Sequence, residues 1–138
     1  MFKYLRNING TLPSQIFTFY SQSQEEPFGA TYAGTIFGVV NGVIGNQTEP
    51  SNPLYLACNT VEAEESGDVR GILLTEGSVL LADLDPTAEK YLIHIGTLCG
   101  LGVDDTAKGI NVTLDGPYIF EIVDASDAKN GKVSVRVI

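Results

Sequence analysis

The sequence predicts an all-β fold: a compact antiparallel β-barrel or sandwich with an extended N-terminal arm and long loops. Three observations carry this. Fifteen glycines and six prolines punctuate the 138 residues and leave little room for a long helix, because both residue types weaken helix interiors. Short runs rich in β-branched and aromatic residues recur about every 8–12 residues between turn signals, the spacing of sandwiches and barrels. The closing segment alternates: Val133, Val135 and Val137 point one way, Ser134, Arg136 and Ile138 the other, the period of two that a half-buried strand requires.

Taken in order, residues 1–13 mix Phe2, Tyr4, Leu5 and Ile8 with Asn7, Asn9, Gly10 and Pro13 and fit no period. They read as an arm that packs on its own domain or on a partner, leaving 14–138 as a single β domain. Gln15 to Tyr20 is an aromatic and β-branched strand, followed by a polar loop over 21–30. Thr35 to Val40 and Val43-Ile44 flank Asn41-Gly42, a dipeptide suited to a type I′ hairpin because both residues tolerate positive φ.

After a polar stretch from Gly45 to Pro53 comes a strand at Leu54 to Asn59, then an acidic stretch from Glu62 to Asp68. Arg70 to Thr75 and Ser78 to Leu84 are strands joined at Glu76-Gly77. One helical turn is expected near Pro86 to Lys90, with Asp85 as its cap and proline in the first position. Tyr91 to Thr97, Gly109 to Leu114, Tyr118 to Val123 and Lys132 to Ile138 complete the strands. Asn130-Gly131 provides the last hairpin turn, and Phe120 and Ile122 alternate with Glu121 on the partner strand.

Composition excludes several classes. The length suits one domain with a sizeable core. A 43% apolar, 18% charged chain is too hydrophobic and too weakly charged for intrinsic disorder. Apolar runs such as Leu54-Tyr55-Leu56-Ala57-Cys58 are too short to cross a bilayer, so no membrane partner is expected. The net charge of −9 argues against nucleic acid, whose binding needs clustered Lys and Arg.

That charge is unevenly placed. Residues 1–24 carry Lys3 and Arg6 and no acid, and residues 129–138 carry Lys129, Lys132 and Arg136. All 17 acids lie in 25–128 against three cations there, a local charge of −14. Cys58 and Cys99 both sit among apolar neighbours and read as buried thiols, with a disulfide between them as the alternative. The start, Met1-Phe2-Lys3-Tyr4-Leu5-Arg6, lacks an apolar core and small-residue cleavage site, so it is not read as a secretory signal. A reducing cytoplasm is the expected place of synthesis.

No catalytic, metal-binding or cofactor-binding residue emerges. The single histidine, His94, falls opposite Ile93 and Ile95 on its expected strand, a half-exposed structural position, and no nucleophile motif accompanies it. Asp104-Asp105 carries no sign of the fixed carboxylate separation that glycoside hydrolysis demands. Asp83-Leu84-Asp85-Pro86-Thr87-Ala88-Glu89 spaces oxygens as a calcium loop does, but Ala88 stands where that loop needs glycine and His94 where it needs its closing Glu. Gly100-Leu101-Gly102 lacks the third glycine of a dinucleotide fingerprint. The chain is therefore not read as an enzyme, and no cofactor is assigned.

The order of several segments is more telling. Pro53-Leu54-Tyr55-Leu56-Ala57 is followed by Gly67-Asp68-Val69-Arg70-Gly71-Ile72-Leu73-Leu74-Thr75 and Gly77-Ser78-Val79-Leu80-Leu81-Ala82. After Ile95-Gly96-Thr97 come Gly100-Leu101-Gly102-Val103-Asp104 and Gly116-Pro117-Tyr118-Ile119-Phe120-Glu121-Ile122-Val123-Asp124, before the closing Asn130-Gly131-Lys132-Val133-Ser134-Val135-Arg136-Val137. Over residues 50–138 this pattern resembles the small β-rich decoration, or cement, proteins of tailed-bacteriophage heads.

The resemblance implies a β-tulip-like fold and a structural virion protein, made in the host cytoplasm and carried on the capsid surface. Its partner would be the major capsid protein, and its own state a homo-trimer, with dimer and monomer as alternatives. The function it implies is mechanical: a protein that binds only the expanded shell shifts the balance toward that shell. Terminal arms often dock in such families, so the resemblance and the basic start together mark Phe2, Lys3, Tyr4, Leu5 and Arg6 as capsid-docking residues. The competing expectation is a glycan- or receptor-binding β domain of a fibre or adhesin, which needs a cluster of Tyr with Asp or Asn.

Overall fold

A computed structural model describes residues 1–8, 16–21, 30–40, 43–45, 53–62, 67–105 and 108–138. The protein is all-β. Eleven strands, paired antiparallel, form one strongly curled sheet: β1 (Phe2–Asn7), β2 (Ile16–Ser21), β3 (Ile36–Val40), β4 (Val43–Gly45), β5 (Leu54–Ala57), β6 (Gly67–Leu73), β7 (Ser78–Asp83), β8 (Leu98–Val103), β9 (Gly109–Thr113), β10 (Tyr118–Asp124) and β11 (Lys132–Val137). Their order across the sheet is β1-β7-β11-β10-β8-β9-β3-β5-β6-β2, with β4 hairpinned onto β3. The only helical pieces among the described residues are two single 3₁₀ turns, at 90–92 and 128–130.

The sheet wraps two separate cores. The larger is lined by β7, β11, β10, β8 and β9, which curl until their ends meet. Just beyond β7, Leu84 bridges Val112 of β9, and the Asp85 amide donates to the Val112 carbonyl at 2.8 Å. Leu80, Cys99, Val112, Phe120, Ile122 and Val135 are fully buried inside this curl, and burying each large apolar side chain stabilises by about 1.5–3 kcal/mol. The alternation of β11 holds, with Val133 and Val135 inward and Ser134 and Arg136 outward.

The smaller core sits under β2, β6, β5, β3 and β4 and is aromatic. Phe17, Phe19, Phe37 and Tyr55 meet with ring centroids 4.7–5.8 Å apart, three of the four contacts edge-on. Gly71 of β6 makes room for them: a Cβ there would lie 2.8 Å from the Phe37 ring and 2.9 Å from Tyr55 Cβ. β3 and β5 belong to both cores. Ile36, Leu54 and Leu56 face the larger one and Phe37, Tyr55 and Ala57 the smaller. That is why β5 reads as an unbroken apolar run: both of its faces are buried. β3 meets β9 at one residue pair, Ile36 with Gly109.

Of the two placements expected for the N-terminal arm, residues 2–7 take the first: they pack on their own domain as a strand paired with β7, with Phe2 in the larger core and its ring 5.9 Å from Phe120; residues 9–13 lie outside the described residues. Three expectations are corrected. Tyr91 to Thr97 is not a strand. It opens as a 3₁₀ turn and bends at Gly96, whose φ is +93°, so only Ile93 turns inward. His94 therefore sits exposed in a turn. Cys58 is exposed, one residue past β5, while Cys99 is buried as expected, and both are free thiols.

Candidate functional site

The expected docking residues divide by strand geometry. Phe2 points into the larger core and Tyr4 packs against it, with its hydroxyl buried and lacking a hydrogen-bond partner among the described residues. Lys3 faces out. Between Tyr4 and Arg6 the register slips by one residue, a bulge that leaves Leu5 unpaired and turns Arg6 outward too. Lys3, Leu5 and Arg6 are all exposed. They lie on a strand at one end of the sheet order, whose one ladder partner among the described residues is β7.

The two basic ends of the chain become neighbours. β1 and β11 flank β7, and the register puts Arg6, Val79 and Arg136 in one row across the three strands. Their cations differ in what they meet. The Arg136 guanidinium pairs with Glu121, and the Lys132 ammonium pairs with Asp83. The amino group of Met1 also pairs with Asp83. Lys3 and Arg6 make no ion pair among the described residues. Partial burial alone would raise the Asp83 carboxyl, but the Lys132 and Met1 ammonium groups outweigh it and hold the group below its ordinary 3.8.

The other sequence candidates are structural. Asp85 accepts from the Thr87 amide and hydroxyl at 2.9 and 2.8 Å, closing a turn. The Asp104 carboxylate accepts from the Lys108 amide at 3.1 Å across its loop. Among the described residues no three His, Cys, Asp or Glu side chains gather closely enough to hold a metal ion. No described helix is long and apolar enough to cross a membrane. A cleft of about 610 Å³ is lined by Asp83, Asp85, Lys90, Asn111 and Asn130 over an apolar floor that includes Leu84 and Ile110.

The feature that sequence reading missed is apolar. Residues 91–98 present Tyr91, Leu92, Ile95 and Leu98, which are 72%, 45%, 73% and 43% exposed. Read as a strand, the segment sends Ile93 and Ile95 to one face; the turn sends them apart. Gly96 was the available signal for that bend. Comparison with protein-family models, with curated proteins and with solved structures finds no match for this chain.

Proposed function

We propose that the protein is a structural virion component that binds the outer surface of the major capsid protein shell of a tailed bacteriophage and stabilises the expanded head. One observation supports this above the rest. An acidic chain presents two cations, Lys3 and Arg6, that make no ion pair among the described residues, with Leu5 between them, on an edge strand whose inward side chains anchor it in the core. A rigidly mounted basic edge meets an acidic shell surface with little ordering cost, and charge complementarity sets the rate and register of such contacts.

Because Phe2 belongs to the core, deleting the first residues removes packing along with any docking contact. The clean test reverses surface charge. Lys3→Glu with Arg6→Glu is expected to keep the fold, weaken co-sedimentation with expanded empty heads about tenfold or more, and flatten the salt dependence of binding. Unchanged binding would remove β1 from the contact.

A second reading, a glycan- or receptor-binding domain, is favoured by the polar cleft beside Asp85. Its carboxylate, amide and ammonium groups over apolar floor residues suit a polyhydroxylated ligand. Glycan-array binding that Asn111→Ala abolishes would support it.

A further inference from the structure

The turn before β11 holds a reactive dipeptide in an unreactive shape. In Asn130-Gly131 a side-chain amide precedes a main-chain nitrogen that glycine leaves uncrowded, and Asn130 is exposed to water. The chemistry open to such a pair needs no other protein group. The Gly131 nitrogen loses its proton and attacks the Asn130 side-chain carbonyl carbon; the bond from that carbon to the amide nitrogen breaks, and ammonia leaves. Water then opens the five-membered imide to aspartate, or to isoaspartate with an extra methylene in the main chain.

In the folded protein the reacting groups are engaged elsewhere. The Asn130 carboxamide nitrogen, which is the leaving group, donates to the Asp127 carboxylate at 2.5 Å. The Gly131 amide, which is the nucleophile, donates to the Ala128 carbonyl at 2.9 Å. The Asn130 amide donates to the Asp127 carbonyl at 3.0 Å, and the Gly131 carbonyl accepts from the Leu84 amide at 2.9 Å. Just before the pair, the Lys129 carbonyl accepts from the Lys90 ammonium at 2.9 Å. Closing the imide requires rotation about bonds that these contacts fix. Reaction therefore waits for the turn to open, and its rate is scaled down by the fraction open.

We propose that Asn130 is a self-modification site, gated by the 127–131 turn, whose conversion to aspartate or isoaspartate loosens the closure of the larger core. The product sets a second carboxylate where an amide had donated to Asp127, so attraction gives way to like-charge repulsion. The same turn holds the Leu84 amide, and Leu84 is the residue that closes the curl against Val112. This goes beyond docking to a shell and does not depend on it, because Lys3, Leu5 and Arg6 lie on another element.

The experiment incubates the full chain in warm, mildly alkaline buffer beside a synthetic peptide of residues 127–138. Mass spectrometry of that fragment reads Asn130 separately from Asn41-Gly42, which repeats the dipeptide. The peptide is expected to convert, and the folded chain about tenfold or more slowly, with its rate rising in urea below the unfolding midpoint. Asp127→Ala removes the carboxylate tie and is expected to speed conversion several-fold, with far-UV circular dichroism confirming that it folds. Asn130→Asp stands for the product and is expected to speed amide exchange at Leu84 about tenfold while exchange in β6 stays at the wild-type rate. A peptide that does not convert, or a folded chain that converts as fast as the peptide, overturns the proposal. So does a folded-chain rate that neither urea nor Asp127→Ala raises, or Leu84 exchange in Asn130→Asp that matches wild type.

Discussion

The two cores of this sheet are stabilised differently. Around the larger one, inward valine, leucine, isoleucine and phenylalanine side chains line the strands, and the curl closes on itself at Leu84 and Val112. Around the smaller one, four aromatic rings fill the space and a glycine, Gly71, lets them approach. Aliphatic packing tolerates local adjustment, whereas edge-on rings packed over a bare backbone do not. The strands shared between them, β3 and β5, make the two cores depend on each other.

That contrast can be broken from either side. Phe120 is fully buried in the larger core, and Phe120→Ala is expected to destabilise the whole protein by about 3–5 kcal/mol in denaturant titration. Because Leu54 and Leu56 rest on the same core, amide exchange in β5 should accelerate along with that in β10 and β11. Exchange that rises in β10 and β11 alone would show the cores to be independent.

Gly71→Val attacks the smaller core. Its new Cβ meets Phe37 and Tyr55, and the expected loss is about 1–3 kcal/mol. Chemical shifts of Phe17, Phe19, Phe37 and Tyr55 should move while those of Val133 and Val135 stay in place. Wild-type stability in this variant would contradict the tight ring packing described above.

The cysteines report on the same contrast. Cys58 is expected to react with a thiol reagent at once in the native protein, and Cys99 only as fast as the larger core opens. Burial pushes the Cys99 thiol up from 9.0 to about 11. A raised value means the folded state favours the protonated form. This contribution is complete below pH 9 and is lost as pH rises toward 11. The unfolding midpoint should fall over that window in wild type and fall less in Cys99→Ala.

The smallest effect is expected at the surface, where Asp83 joins Lys132 and the Met1 amino group. Asp83→Asn should cost less than about 1 kcal/mol near neutral pH. Since the Asp83 carboxyl is held below 3.8 in the folded state, its contribution is present above that value and lost as pH falls through the lowered one. Wild type should therefore lose stability more steeply below pH 4 than the variant does.

How far the fold was legible depended on local pattern. β11 was readable because its valines alternate without interruption, and β10 because Phe120 and Ile122 flank Glu121. β1 was missed because the bulge at Leu5 breaks its period after Tyr4, so a strand with Phe2 and Tyr4 inward looks aperiodic. β8 was missed because Gly100 and Gly102 look like turn residues. In the structure the Asp115 carbonyl lies 2.0 Å from where a Gly100 Cβ would stand, so the glycine admits a neighbouring backbone.

Which of the candidate docking residues face outward was not legible in the sequence. A slip of one residue in register decides that, and sequence does not display it. The ridge at 91–98 was hidden for a related reason: an alternating apolar segment reads as a strand until the backbone bends.

The most direct test of the structural-virion reading is co-sedimentation of the protein with tailed-phage heads in their unexpanded and expanded states. Saturable binding to expanded heads, weaker or absent on unexpanded ones, and a rise in the temperature at which the decorated shell falls apart are the results predicted. Equal binding to both states, or none to either alongside reproducible glycan-array hits, would contradict it.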